Sequence, residues 1–65
     1  MLAFNVKRIL LENEYAGIRP NNMSQLATAM DISYKHLYNL IHRAREDDIE
    51  RIALGLGIPV EELSP

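Results

Sequence analysis

The sequence predicts an all-α fold, a small bundle of five short helices that forms one domain over residues 1–65. Three observations support this prediction. Apolar residues recur at helical spacing in successive stretches, residues that favour helix ends separate these stretches, and no stretch has the alternating pattern of a strand. A chain of 65 residues has room for one core and no more.

The first helix is predicted over about 5–15, with Asn5 as its N-cap. Its inward-facing residues are expected to be Val6, Ile9 and Leu10. Gly17 and Pro20 then break the helix and begin a fairly long connection. Ile18 is the apolar residue expected to hold this connection against the core.

Two short helices follow, joined by a tight three-residue turn. The second helix is predicted over about 23–30, and Asn22 with Gln25 has the form of a capping box at its start. The third helix is predicted over about 34–42, with Ser33 as its N-cap. The residues expected to face inward are Leu26, Ala27 and Met30 on the second helix and Leu37, Leu40 and Ile41 on the third.

The fourth helix is predicted over about 47–56, after a polar link. Asp47 and Glu50 stand three residues apart and suggest a second capping box. The helix is expected to end at Gly57, and a short fifth helix is predicted over 59–63, opened by its proline. The inward-facing residues of the fourth helix are expected to be Ile49, Ile52, Ala53 and Leu56.

The charge is unevenly distributed along the chain, whose formal net charge is −2. Residues 1–30 carry +1, residues 31–45 carry +2, and residues 46–65 carry −5. A polyanion responds to the local field rather than to the total charge. The central segment is therefore the one suited to a nucleic acid, and the acidic end would face away from it.

Other classes of protein find little support in the sequence. It has no cysteine, which suits a reducing compartment, and no apolar run approaches the length of a membrane helix or signal sequence. His36 and His42 are six residues apart, so they point about 240° apart on a helix and do not share one metal ion. No catalytic constellation is present. We expect a cytoplasmic protein that is not an enzyme and uses no cofactor or metal.

The second and third helices, with the small Ala27 at their crossing, fit a DNA-binding helix-turn-helix at about 23–42. Two blocks of sequence make this interpretation more specific. The first block consists of Asn22-Met23-Ser24-Gln25-Leu26-Ala27 and Met30-Asp31-Ile32-Ser33, with Leu37 and Leu40. The second block is Ile49-Glu50-Arg51-Ile52-Ala53-Leu54-Gly55-Leu56-Gly57-Ile58-Pro59-Val60-Glu61-Glu62-Leu63. With these two blocks, residues 22–63 resemble the Cro/cI-type helix-turn-helix family, also called the XRE family, of phage-repressor-like proteins.

The sequence departs from the family pattern at several positions. Asp31 stands where the family usually has Gly, although Asp tolerates a left-handed conformation better than most residues. Ile41 replaces a frequent Glu, and Met23 replaces a frequent Gln. The connection between the first two helices is about three residues longer than is usual in the family. These departures leave the expected base-contacting face unchanged.

The resemblance implies that the third helix enters the major groove of DNA. Lys35 would then donate to guanine O6 and N7, and Asn39 would pair with adenine N6 and N7. The implied base-contacting residues are Tyr34, Lys35, Tyr38 and Asn39. The implied phosphate-contacting residues are Asn22, Met23, Ser33, His36, Arg43 and Arg45.

The expected function is therefore that of a sequence-specific double-stranded DNA-binding transcription regulator, a repressor or Cro-like protein of a phage or mobile element. Such a domain buries little area on DNA, so a weak homodimer on two half-sites is expected. Its interface is expected on the fourth helix and the C-terminal segment, at Leu54, Ile58, Val60 and Leu63. The acidic C-terminal third favours an alternative, a protein-interaction module such as an anti-repressor or antitoxin-like partner.

Each residue also has a plainer interpretation. Taken without the resemblance, Tyr34 and Tyr38 fit half-buried aromatic residues at the rim of the core, and Lys35 and Asn39 fit an ordinary solvated helix face. The resemblance favours contact with DNA for all four. His42 fits a helix end favoured by the negative end of the dipole.

Overall fold

The computed structural model describes residues 2–63, and over this range the chain is all-helical with no strand. It forms four α-helices: α1 (Leu2–Ala16), α2 (Met23–Ala29), α3 (Tyr34–Arg43) and α4 (Glu46–Leu56). A 3₁₀ helix (Val60–Glu62) follows them. The all-α prediction is confirmed at this level. The fifth element is a single 3₁₀ turn rather than an α-helix. Pro59 has an extended backbone, so only the few residues between it and Leu63 are available for a helix.

The core lies where all four α-helices meet. Its completely or almost completely buried residues are Val6, Leu26, Leu37, Leu40, Ile52 and Leu63. The inward faces predicted for the helices are confirmed, with Ile49 and Met30 only half-buried against the core.

The first helix begins three residues earlier than predicted, and Asn5 is not its N-cap. Leu2 is buried, and this burial favours a helix that extends to the start of the described chain. Asn5 therefore lies inside α1, where its Nδ2 donates to the backbone oxygen of Leu63 at 3.0 Å. This bond ties the last described residue of the chain to the first helix.

The connection between α1 and α2 is held by Pro20 and not by Ile18, which is 53% exposed. Pro20 is buried, and its backbone oxygen accepts a hydrogen bond from Asn13 Nδ2 at 2.9 Å. The peptide bond between Arg19 and Pro20 is cis. The apolar side chain chosen from the sequence was the wrong one, because the polar contact with Asn13 brings the proline inward.

All four α-helices are followed by a residue in the left-handed region. Two of these residues are glycines, Gly17 at φ 71° and Gly57 at φ 73°. The other two are Asp31 at φ 58° and Ala44 at φ 52°. After α2, the amide of Ile32 donates to the oxygen of Ala27 and that of Asp31 to the oxygen of Thr28, the pattern of a Schellman motif. The left-handed conformation expected for Asp31 is thus present.

The N-terminus of α2 has the predicted cap with one difference. Asn22 Oδ1 accepts from the amide of Gln25 at 2.8 Å, as expected. The side chain of Gln25 returns to the amide of Asn21, at 2.8 Å, and not to that of Asn22. The side chain of Gln25 therefore also holds Asn21, the residue before the N-cap.

The start of α4 differs from the prediction. The helix begins at Glu46, and its N-cap position is Arg45. Asp47 and Glu50 are both exposed and form no capping box. Asp48 takes this role: its Oδ2 accepts from the amide of Arg45 at 3.3 Å. The choice between adjacent acids was wrong because Asp48, unlike Asp47, is turned towards the end of α3.

Candidate nucleic-acid interface

The orientation of α3 is set by its three buried residues, Leu37, Leu40 and Ile41, which are at most 7% exposed. They pack where α3 contacts α1, α2 and α4. Because a helix has about 3.6 residues per turn, these positions turn the face that begins at Tyr34 away from the core. The inward face predicted for this helix is confirmed.

The four predicted base-contacting residues all lie on the exposed side of α3. Tyr34 is 54% exposed and Tyr38 is 52% exposed, while Lys35 and Asn39 are also exposed. We call these residues the α3 face: Tyr34, Lys35, Tyr38 and Asn39. Within residues 2–63, the side chains of Lys35 and Asn39 make no hydrogen bond or ion pair. Their polar groups are therefore available to an outside partner.

One aromatic residue of the α3 face also has a neighbour on its own helix. The ring centroids of Tyr38 and His42 are 4.3 Å apart, with an angle of 54° between the ring planes. Residues four apart on a helix stand one above the other, which brings these rings together. His42 lies in the last turn of α3, where a positive charge suits the helix dipole.

The N-terminal end of α3 is capped by Ser33, as predicted. Ser33 Oγ accepts a hydrogen bond from the amide of His36 at 3.0 Å, and both residues are exposed. Ser33 and Asn22 were also predicted to contact phosphate, and the structure places both at helix starts with their side-chain oxygens used in caps. Met23 is half-buried against the core. Their contact with phosphate stays a prediction.

The C-terminal end of α3 is bound to α4 by an ion pair that the sequence analysis missed. Arg43 Nε donates to Asp48 Oδ2 at 2.9 Å, and Arg43 Nη2 donates to Asp48 Oδ1 at 2.8 Å. Asp48 is buried, whereas the side chain of Arg43 is 44% exposed. Among the residues that the structure describes, Asp48 is the one buried charged group. Planar two-point pairing of this kind fixes direction as well as distance.

The electrostatics of this pair follow from its hydrogen bonds. The hydrogen bonds from Arg43, and to a smaller extent the one from the amide of Arg45, outweigh the effect of burial and lower the pKa of Asp48 to about 2. The bonds from Arg43 also raise the pKa of Arg43 itself. Asp48 is therefore an anion at neutral pH, and the charge of Arg43 is largely compensated within the chain.

The ion pair between Arg43 and Asp48 bears on two of the predicted phosphate-contacting residues, Arg43 and Arg45. Arg43 holds α3 against α4, so its guanidinium faces Asp48 as well as solvent. Arg45 is exposed, and only its backbone amide binds Asp48. A sequence signal for Asp48 was present, because an acid three residues after an N-cap is a capping position. The signal was ambiguous, since Asp47 and Asp48 are adjacent.

The predicted dimer surface is not continuous. Leu54 is 82% exposed, but Ile58 and Val60 are half-buried against the core. Leu63 is 1% exposed, so it is a core residue, and its assignment to a dimer interface is wrong. The reason is the hydrogen bond from Asn5 to its backbone, which draws the chain end under α1.

No group of three or more His, Cys, Asp or Glu side chains within residues 2–63 is placed to hold a metal ion. None of the helices in this range has both the length and the apolar character that crossing a membrane requires.

Over residues 2–63 the fold is all-α, and the α3 face is exposed to solvent. The chain matches no protein-family model, no curated protein and no solved structure.

Proposed function

We propose that this chain is a sequence-specific double-stranded DNA-binding transcription regulator. In this proposal α2 and α3 are a helix-turn-helix in a lambda-repressor-like domain of the Cro/cI (XRE) type, and α3 is the recognition helix. The observation that carries the proposal is the α3 face, whose side chains are exposed and whose Lys35 and Asn39 are unpaired within residues 2–63. A repressor or Cro-like regulator of a phage or mobile element, acting in the cytoplasm, is the specific form we favour.

The chemistry of the α3 face supports contact with base edges. Lys35 near the helix start donates to guanine O6 and N7, and Asn39, one turn later, pairs with adenine N6 and N7. Tyr34 and Tyr38 contribute flat apolar contact to thymine methyl groups. Each well-formed contact of the two-point type discriminates against a wrong base by about 1–3 kcal/mol.

Contacts with the DNA backbone would fix the position of α3 in the groove. Arg45 is the exposed cation that follows the recognition helix. Arg43 acts differently in this proposal: because it binds Asp48, it holds the end of α3 at a fixed angle to α4. Phosphate-binding residues would be completed by the exposed groups at the starts of α2 and α3.

Selection of bound sequences from random duplexes tests the proposal directly. We expect an enriched half-site and, if two copies bind, a fixed spacing near one helical turn. Lys35→Ala is expected to relax the preference at one position and to weaken the best site by roughly 5- to 150-fold, the equivalent of about 1–3 kcal/mol. Arg51→Ala, which removes the same charge from an exposed position on α4, is the matched control. Failure to enrich any sequence would refute sequence-specific binding.

A second candidate function, a protein-interaction module, is supported by the acidic surface at the other end of the chain. The exposed acids there are Glu46, Asp47, Glu50, Glu61 and Glu62. The dependence of DNA affinity on salt separates the two functions, since each neutralised phosphate contributes a slope of about −0.9 on logarithmic scales. A steep slope supports the regulator. An absence of measurable DNA binding at low salt supports the interaction module.

A further inference from the structure

An apolar stripe runs along the outer side of α1, away from the α3 face. Phe4 is 63% exposed, Leu11 is 53% exposed and Tyr15 is 86% exposed, and Ile18 just beyond the helix is 53% exposed. At 100° per residue, the positions 4, 11 and 15 point within about 40° of one another. We call these four residues the α1 stripe. The buried residues of the same helix lie on its opposite side, so the stripe is not part of the core.

Neither the core nor the proposed DNA contacts account for the α1 stripe. Single exposed apolar residues are ordinary, but a row of large ones on one helix marks an interaction surface. Between Phe4 and Tyr15, Arg8 is the one charged residue within the stripe, and its side chain pairs with Glu12 at 3.0 Å. The stripe therefore has the composition of an interface centre with charged edges.

The charged residues beside the stripe indicate which partner fits it. On the helical wheel Lys7 and Glu14 lie on one edge of the stripe, about 20° apart, and Arg8 and Glu12 lie towards the other edge. Both edges are basic in the N-terminal half of α1 and acidic in the C-terminal half. Such a pattern is complementary to a copy of itself running in the opposite direction.

We propose that the α1 stripes of two copies of this chain pack against each other, antiparallel, around a two-fold axis at Leu11. In this arrangement the two-fold axis is perpendicular to both helices. Each edge of one stripe therefore lies next to the same edge of the partner's stripe. Lys7 then lies beside Glu14 of the partner subunit, and Arg8 lies near Glu12 of the partner subunit. A parallel arrangement would place Lys7 beside Arg8 of the partner subunit and Glu14 beside Glu12 of the partner subunit, which like-charge repulsion opposes.

The size of the surface predicts the strength of the dimer. From Phe4 to Tyr15 the stripe is about 16 Å long, since a helix rises about 1.5 Å per residue. A strip of this length and one helix wide is smaller than the roughly 800 Å² per partner of a standard interface. The dimer is therefore weak and concentration-dependent. It forms without DNA and is measured without DNA.

Sedimentation velocity of the full chain without DNA, over a range of concentrations, tests the proposal. The wild-type chain is expected to shift from monomer to dimer, and Leu11→Glu to remain monomeric over the same range. Leu54→Glu is the matched control, because Leu54 is the exposed leucine of α4 and lies outside the stripe. Circular dichroism establishes that each variant remains helical. A wild-type chain that stays monomeric, or a dimer that Leu54→Glu weakens as much as Leu11→Glu, overturns the proposal.

A charge exchange tests the antiparallel direction. Lys7→Glu and Glu14→Lys are each expected to weaken the dimer several-fold, and the double variant K7E/E14K to restore it, because every pair is then reversed across the interface. Restoration also excludes loss of folding as the cause of weakening. A double variant no stronger than either single variant overturns the antiparallel assignment. Lys35→Ala leaves self-association unchanged in this scheme, so failure of the dimer and failure of DNA binding are distinguished.

Discussion

The two corners that bound α3 share a left-handed residue and an extended N-cap but differ in chemistry. The first corner, residues 30–33, and the second corner, residues 44–45, each pass through a left-handed residue, Asp31 or Ala44. Each then reaches an N-cap with φ −74° and ψ 158°, Ser33 in the first and Arg45 in the second. The first N-cap uses its own side-chain oxygen, whereas the second has none and relies on Asp48.

This difference shows that the free backbone amides at a helix start can be hydrogen-bonded either by the N-cap's own side chain or by another residue. Ser33 needs only the amide of His36, so the first corner remains exposed and leaves the start of α3 open to solvent. Asp48 binds the amide of Arg45 and the guanidinium of Arg43 together, so the second corner joins two helices around a buried carboxylate. The first corner positions the α3 face, and the second fixes its angle to the rest of the domain.

Asp48→Asn breaks the second corner and is expected to have the largest effect. The amide keeps the shape of the side chain but removes the charge that compensates Arg43 and one of the two oxygens that accept from it. We expect a fall in the midpoint of urea denaturation at neutral pH that exceeds the fall for any other variant considered below. Asp47→Asn is the matched control, since its carboxylate is exposed on the adjacent position. Equal effects of the two substitutions would contradict the role of the pair.

The pH dependence of stability sharpens this test. The pKa of Asp48 is lowered from 3.8 to about 2 in the folded chain, so its contribution is complete above 3.8 and is lost as the pH falls towards 2. The stability difference between the wild-type chain and Asp48→Asn is therefore expected to narrow over this interval. Urea titrations at several pH values measure it. A difference that stays constant down to pH 2 would show that the charge of Asp48 does not stabilise the fold.

Ser33→Ala breaks the first corner and is expected to cost about 1 kcal/mol, the usual loss for an N-cap hydroxyl. For a domain of this size such a loss lowers the Tm by about 4–8 °C. Ser24→Ala is the control, because Ser24 is exposed inside α2 and caps no helix. Thermal denaturation followed by circular dichroism distinguishes them. No loss in Ser33→Ala relative to Ser24→Ala would contradict the cap.

The two corners also show which features the sequence was able to predict. The Ser33 cap, the left-handed Asp31 and the inward Leu37, Leu40 and Ile41 depend on neighbours within one or two turns, and all were predicted. The role of Asp48 depends on the position of Arg43, which is known only once α3 and α4 are packed. The adjacent acids could not be distinguished by spacing alone.

The same limit explains the errors at the ends of the chain. Leu63 was assigned to the surface because nothing nearby in the sequence indicates its contact with Asn5, 58 residues away. The α1 stripe was missed because the inward stripe of the same helix accounts for its helical spacing. The exposure of the α3 face was predicted, whereas contact with DNA depends on a partner and stays a prediction.

Ala44→Gly is expected to stabilise the second corner. Ala44 has φ 52°, a conformation that costs a residue with a Cβ roughly 1–2 kcal/mol. Glycine removes this strain but adds freedom to the unfolded chain, so the net gain is expected to be about 0.5–1 kcal/mol. Ala16→Gly is the control, because Ala16 is helical with negative φ and should lose stability by up to about 1 kcal/mol. A loss in both variants would contradict strain at Ala44.

Asp31→Gly makes the corresponding change in the first corner and is expected to have the smallest effect. Asp31 also has positive φ, at 58°, but aspartate tolerates this region better than alanine. The gain is therefore expected to be a few tenths of a kcal/mol, below that of Ala44→Gly. Urea denaturation of the two variants and of the double variant measures the difference. Since the corners lie at opposite ends of α3, the two gains should add. A larger gain at Asp31 than at Ala44 would show that the first corner, despite its own cap, is the more strained of the two.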